Sequence, residues 1–273
     1  MNPADSVAVW FGPGGSRGVF GAGVARGLQQ AIDEERLDSS CLRLYGASVG
    51  CLTAAYLATR NTHCGLDVFR EDASQVITAG NLLPSVAAHT MNRAVHAIGR
   101  RPPLVSVPQV LQVDRVIELI LQRIPDIVLQ LRHAPMPTFA ECVDRRTGDF
   151  CHIDLRTAAD PLQTIRGALN LVPLATQETG DLLDAMIKGF GFSRLLDGEA
   201  TGRLVVVLNR VPARRRLERL CCRLGAAMSE DARIAGLYGQ RDRECVRALQ
   251  MAASDERVLL VTPNADPTKK TLR

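Results

Sequence analysis

Short hydrophobic blocks alternate with glycine-rich turns and helical patterns at the start of the chain. Residues 6–11 (SVAVWF) form a β-rich run that ends at GPGG, which is typical of a buried strand entering a tight turn. Residues 18–36 then carry apolar side chains at helical spacing. The same order returns with a strand at 42–45, the turn GASVG and an alanine-rich helix at 52–59. This repetition predicts a parallel α/β sheet, whose ligand sites lie at the carboxyl ends of the strands.

The rest of the chain continues the α/β pattern. Residues 65–132 are mostly helical but are broken by prolines, and we expect a cap-like region there. Thr138–Asp144 and residues 149–155 flank the turn RRTG and predict a hairpin in which Gly148 has a positive φ. The run LVVVL at 204–208 predicts a buried strand. Helical patterns follow at 214–224 and 230–253, and a last strand at 257–262 precedes a loose polar tail at 264–273. We therefore predict a single α/β domain over residues 1–273, with a mostly parallel central sheet flanked by helices.

The composition narrows the classes of protein that the chain can be. Hydrophobic residues make up 46% and charged residues 23% of the 273 residues, which excludes a disordered or fibrous chain. The net charge of +4 is too mild to predict nucleic acid as a partner. The eight cysteines form no C-x-x-C pair, and no His, Asp or Glu cluster has ligand spacing, so we predict no metal and no cofactor. The start of the chain does not have the pattern of a signal peptide, and no apolar run reaches the ~18 residues of a membrane span. We expect a cytoplasmic protein that at most contacts a membrane surface.

The first motif with chemical meaning is G-x-S-x-G, formed by Gly46, Ser48 and Gly50. A strand precedes it and a helix follows it, as in a nucleophile elbow, where small residues relieve crowding around a strained serine. The peptide N–H groups and the dipole of the following helix stabilise negative charge there. The alternative is an ordinary strand–helix turn in which the serine only caps the helix.

A second glycine-rich turn, GPGGSRG at 12–18, also lies between a strand and a helix. Successive backbone N–H groups in such a loop can converge on a phosphate or on a developing oxyanion. The dinucleotide fingerprint would need a glycine where Arg17 stands, and the chain has no G-K-[ST] tripeptide. The letters therefore favour an oxyanion loop over a phosphate loop, with a tight turn that binds nothing as the remaining alternative.

A serine nucleophile needs a base, and the histidines of this chain are poorly placed to supply one. An α/β-hydrolase triad has its histidine late in the chain. All five histidines precede residue 153, and His152 falls in the predicted hairpin. A serine paired directly with a carboxylate is therefore the better hypothesis.

The sequence resembles the patatin-like phospholipase family, in particular its bacterial members. The resemblance rests on GPGGSRGVFGAGV, on LYGASVG and on the stretch FCHIDLRTAADPLQTIRGALNLVP before an aspartate, and it extends through most of the chain. It implies a patatin-like α/β fold and lipid acyl hydrolysis by a Ser–Asp dyad. It also implies that Ser48 is the nucleophile and that Gly14, Gly15 and Ser16 supply oxyanion-hole amides. Arg17 matches the arginine of the same motif and belongs to the same predicted oxyanion hole.

Two departures from the family pattern leave alternatives open. Pro13 stands where the family has a glycine, which removes one amide donor. The family's D-G-G or D-G-A is absent, and two aspartates compete for its place. Asp184 (DAM) has the family's separation from the strand that ends in VVVLNR, whereas Asp197 (DGE) keeps the D-G letters but lies close to that strand, as a turn residue would. We prefer Asp184 as the catalytic acid and keep Asp197 as the alternative.

Three functions follow from these residues. The preferred one is a serine esterase that acts on glycerolipids or phospholipids, with a lipid or ester substrate and transient contact with a membrane surface. The second is a patatin-like module that has lost the aspartate geometry and only binds lipid or protein. The third is a nucleotide-binding α/β protein.

The arginines between residues 210 and 223 are either a basic face for anionic headgroups or a solvated helix face. The sequence predicts no oligomeric state.

Overall fold

The protein is described by a computed structural model over most of its length. The described residues are 6–68, 76, 81, 84–85, 87–89, 91–92, 110–172, 175, 180–196, 202–209, 223, 225–227, 229 and 231–263.

The centre of the structure is a seven-stranded sheet in the order β4-β3-β2-β1-β6-β7, with β5 paired to β3. Its strands are β1 (Val7–Phe11), β2 (Leu42–Ala47), β3 (Thr138–Asp144), β4 (Phe150–Asp154), β5 (Leu182–Asp184), β6 (Arg203–Val207) and β7 (Val258–Val261). All pairs among β1, β2, β3, β6 and β7 are parallel, and only β4 and β5 run antiparallel to β3. The predicted α/β class with a mostly parallel sheet is confirmed.

Helices cover both faces of this sheet. Among the described residues, the helices with defined bounds are α1 (Val19–Asp33), α2 (Val49–Ala58), α3 (Thr62–Asp67), α4 (Val113–Arg123), α5 (Ile127–Arg132), α6 (Pro161–Ala168), α7 (Ser193–Leu196) and α8 (Ala232–Ser254). One core cluster packs residues of α1, α2, α4, α5 and α6 against one face. A second cluster, centred on Trp10, packs α8 against the other face. Since the central strands β1 and β6 are covered on both sides, they read as nearly continuous hydrophobic runs.

Local chemistry explains where several elements begin. Asp160 accepts hydrogen bonds from the amides of Leu162 and Gln163, at 2.9 and 3.0 Å, and Pro161 opens α6 where no amide donor is needed. In the β3–β4 hairpin Gly148 has φ +74°, as predicted.

The stretch expected to form a cap contributes to the core where it is described. Val113, Val116, Ile120 and Ile127 are buried in the same cluster as α2. Much of residues 69–109 lies outside the described residues, as do most of the helical pattern at 214–224 and the tail at 264–273.

Strand β3 brings together two segments that are far apart in the sequence. On one edge β3 pairs with β4 from Phe139 to Val143. On the other edge it pairs with β2, which ends opposite Glu141. Beyond Glu141, β5 pairs with the edge of β3 that β2 occupied, because β4 already fills the opposite edge. In this pairing Asp184 lies opposite Cys142. The two strands approach from opposite directions, so their carboxyl ends meet at neighbouring positions of β3.

Candidate active site

Ser48 occupies the turn between β2 and α2. Its backbone has φ 54° and ψ −129°. Residues other than glycine rarely adopt this conformation because it is strained, and residues that do adopt it are found mainly at functional sites. It stands at the N-cap of α2, yet its side chain makes no capping hydrogen bond. The alternative in which Ser48 merely caps the helix therefore loses its physical basis, and the hydroxyl is left for another task.

The two glycines of the motif are required by close backbone contacts. A Cβ on Gly46 would overlap the carbonyl group of Gly50, and a Cβ on Gly50 would overlap the carbonyl oxygen of Phe11. The turn after β2 is thereby pressed against the end of β1, where the glycine-rich loop begins. Because Phe11 and Gly46 are paired in register, the two turns leave the sheet at the same level.

Asp184 is the last residue of β5, and its carboxyl lies beside Ser48. The structure places it at the end of a three-residue strand, and its side chain is completely buried. The amide of Met186 donates to Oδ1 at 2.8 Å. Oδ2 is buried without a partner of full hydrogen-bond geometry, although the Ser48 hydroxyl is near enough to bond to the carboxyl and lower its pKa. Asp197 lies outside the described residues.

Burial makes Asp184 a stronger base than an exposed aspartate. Loss of solvent raises the pKa of its carboxyl from 3.8 to about 6, and the charge of Glu141 adds to the rise. The hydrogen bonds from Ser48 and Met186 and the charge of Arg241 lower this pKa, but they do not overcome burial. A carboxyl with a pKa of about 6 is mostly ionised at neutral pH and still accepts a proton more readily than a solvated one.

The glycine-rich loop is a short 3₁₀ turn over Gly15–Gly18 that leads directly into α1. Gly15 has φ +54° and is exposed. The amide of Arg17 donates to the carbonyl of Gly14 at 3.1 Å, so it is not free to bind an oxyanion. Within the described part of the chain, the amides of Gly14, Gly15 and Ser16 have no hydrogen-bond acceptor. These three are the free donors among the four residues that the sequence proposed.

Two buried polar side chains near the site were not predicted from the sequence. Glu141 accepts hydrogen bonds from Trp10 Nε1 at 2.8 Å and from the amide of Gly191 at 3.1 Å, and it lies 3.2 Å from His152 Nε2. A single acid in the otherwise apolar TFAECV stretch was the signal for it. Asn209 bonds to the glycine-rich segment, and its position directly after a buried strand was the corresponding signal.

Phe190, Phe192 and His152 make packing contacts within the fold. Phe190 and Phe192, which follow Asp184 closely in the sequence, are buried against Trp10 with ring centroids 5.8 and 5.0 Å away. His152 lies on β4 and contacts Glu141 and Tyr45. Of the arginines between 210 and 223, only Arg223 is among the described residues.

Metal and membrane features can be judged over the described residues only. These residues contain no group of His, Cys, Asp or Glu side chains that could hold a metal ion. No helix among them is both long and apolar enough to cross a membrane.

Ser48, Asp184 and the free amides of the loop thus meet at one edge of the sheet, a combination that can perform acyl transfer. No family model matches this chain, and no curated protein is significantly similar to it.

Proposed function

We propose that the protein is a serine hydrolase that cleaves carboxylic esters of lipids through a Ser48–Asp184 dyad. The observation that carries the proposal is the buried carboxyl of Asp184 beside a strained serine that caps nothing. The glycerolipid, phospholipid or simple ester nature of the substrate follows only from the patatin-like motifs. Those motifs are GPGGSRG and GASVG, with Pro13 and Ala185 as departures.

The chemistry proceeds by two acyl transfers. Asp184 accepts the proton of the Ser48 hydroxyl while the serine oxygen forms a bond to the ester carbonyl carbon. The carbonyl oxygen becomes an oxyanion, which the amides of Gly14 and Gly15 stabilise. The ester C–O bond then breaks, and the leaving alcohol takes the proton from Asp184. Water attacks the acyl-enzyme and gives a proton to Asp184, which passes it to the Ser48 oxygen as the acid product leaves.

Pro13 and Ala185 matter less to this chemistry than they do to the motif. Pro13 is buried before the turn, and its missing amide precedes the free amides of Gly14 and Gly15. The glycine after the family's aspartate is replaced by Ala185, whose side chain is fully buried in the core around Trp10. Ala185 begins the 3₁₀ turn whose Met186 amide holds Asp184.

The test combines a covalent probe with ester turnover. Wild-type protein should react with a fluorophosphonate at Ser48 and hydrolyse a short-chain nitrophenyl ester and phospholipid vesicles. Ser48→Ala should lose both reactions, and Asp184→Asn should lose turnover by a factor of about 10²–10⁴, as expected when a general base is removed. Asp181→Asn, an exposed acid close by, is the matched control and should remain active.

Each alternative gives a different result. Loss of turnover in Asp197→Asn but not in Asp184→Asn would reassign the acid. Vesicle binding by a wild-type protein that neither labels nor hydrolyses would indicate the non-catalytic module. A thermal shift with nucleotides and without labelling would indicate the nucleotide-binding protein.

A further inference from the structure

Asn209 makes hydrogen bonds to the backbone on both sides of the glycine-rich loop. It follows β6 by two positions and is buried, with 4% of its surface exposed. Its Nδ2 donates to the carbonyl of Gly12 at 2.6 Å, and its Oδ1 accepts from the amide of Gly21 at 2.7 Å. Gly12 and Gly21 stand on either side of the turn that holds the free amides. One side chain therefore closes this turn at its base.

The bond to Gly21 also solves a local problem of α1. Gly21 lies in the first turn of this helix, where amides have no partner within the helix. The residue at the N-cap, Gly18, has no side chain and makes no capping bond. Asn209 supplies the missing acceptor from a distant strand, so the start of α1 is fixed to the sheet rather than to its own N-cap.

The backbone of Gly14 lies directly on the Asn209 side chain. A Cβ on Gly14 would come within 2.6 Å of the Asn209 Cβ, and a Cβ on Gly21 within 2.8 Å of its Oδ1. Two glycines are thus required by one asparagine. Gly14 carries a free amide. The contact with the Asn209 side chain therefore fixes the position of that amide relative to the sheet.

We infer that Asn209 is the positioning residue of the oxyanion loop, which it holds at the level where the Gly14 and Gly15 amides face the carbonyl attacked by Ser48. This role rests on the proposed hydrolase function. An asparagine suits it because a single planar group donates to one backbone atom and accepts from another. Aspartate would accept from Gly21 but turn an oxygen towards the carbonyl of Gly12.

The test is to shorten the side chain in Asn209→Ala and Asn209→Ser and to measure ester hydrolysis per serine that the fluorophosphonate titrates. Loss of an aligned oxyanion donor costs about 10²–10³ in kcat, so a loop that is displaced but present should lose about 10–100-fold. KM should change little, and the acid limb of the pH profile should stay in place because Asp184 is untouched. Turnover of a thionoester should fall less than that of the oxoester, since sulfur accepts hydrogen bonds from amides weakly.

Asn61→Ala is the matched control. Asn61 Nδ2 donates to the carbonyl of Thr59 at 2.8 Å and to Gln130 at 2.7 Å, beyond the far end of α2. Its replacement removes a comparable pair of hydrogen bonds and should lower stability without lowering kcat per titrated serine. The comparison separates positioning from general destabilisation.

The outcomes are distinct. Folded Asn209 variants with kcat within twofold of wild type would overturn the positioning role while leaving the hydrolase intact. The positioning role is also overturned if KM or the acid limb moves instead of kcat, or if neither variant folds, because Asn209 would then be a purely structural residue. If the wild type neither labels nor hydrolyses esters, the proposed function fails and this role fails with it.

Discussion

Replacing Asp184 by asparagine should make the protein more stable at neutral pH. The change keeps the shape of the side chain but removes a charge that is buried in the folded state. The pKa of this carboxyl is about 6 in the folded protein against 3.8 for an ordinary aspartate, so the folded state binds the proton more tightly than the unfolded chain. Stability then falls as pH rises through the interval between these two values and levels off above it.

The size of the effect follows from the shift. The rise of this pKa from 3.8 to about 6 corresponds to about 3 kcal/mol of free energy of unfolding. Below about pH 4 both the acid and the amide are neutral, and the difference between Asp184→Asn and wild type should be small there. Between about pH 4 and pH 7 that difference should grow by about 3 kcal/mol in favour of the variant, or roughly 6–12 °C in Tm for a domain of this size.

Urea denaturation across this pH range measures the difference directly. Asp181→Asn serves as the control, because the exposed side chain of Asp181 keeps its solvent in the folded state. Its offset from wild type is the baseline against which the difference for Asp184→Asn is compared. The difference in free energy of unfolding between Asp184→Asn and wild type could instead stay constant with pH, or favour the wild type increasingly as pH rises. Either result would refute the idea that burial raises the pKa of Asp184. Gain of stability together with loss of turnover is the pattern expected where function opposes stability.

Other predictions concern the same site and its supports. Because Asp184 must be ionised to accept a proton, kcat/KM should rise with pH and reach half of its plateau near pH 6; a profile without this limb would contradict the assignment. Arg241→Gln should move that limb to higher pH, since the charge of Arg241 lowers the pKa of Asp184, whereas Arg243→Gln on the exposed side of the same helix should leave it in place. Gly50→Ala should cost about 4 kcal/mol or more in thermal unfolding, because its Cβ would overlap the Phe11 carbonyl. Gly23→Ala, in a helix with open space around it, should gain up to about 1 kcal/mol, and equal behaviour of the two variants would argue against crowding at the elbow.

Much of the fold could be predicted because its central parallel strands can be recognised from short stretches of sequence. Each of β1, β2 and β6 is a hydrophobic run, and glycine-rich turns follow the first two. The hairpin was predicted with Thr138–Asp144 in place and with Gly148 at positive φ, since turn chemistry is also local. The boundaries moved by a few residues, as at β2, which continues to Ala47.

The parts of the site that escaped prediction depend on contacts between distant segments. Three residues are too few to show a period, so β5 could be recognised only through its pairing with β3. The bonds of Asn209 to Gly12 and Gly21 could not be predicted from the sequence, because they form only once β6 lies beside β1. Burial of Glu141 likewise depends on Trp10 and Gly191.

The meeting of β2 and β5 on β3 ties chemical competence to the completion of folding. Neither Ser48 nor Asp184 belongs to β3, yet β3 aligns both. Ala47, which precedes Ser48, lies opposite Glu141, and Asp184 lies opposite the next residue, Cys142. A slip of β3 by a single residue would reverse which face each partner meets. Helix formation and collapse are fast elementary steps of refolding, whereas this junction requires three separate segments of the chain to pair. Reactivity of the serine would therefore report closure of this junction, which spectroscopic measures of compaction would miss.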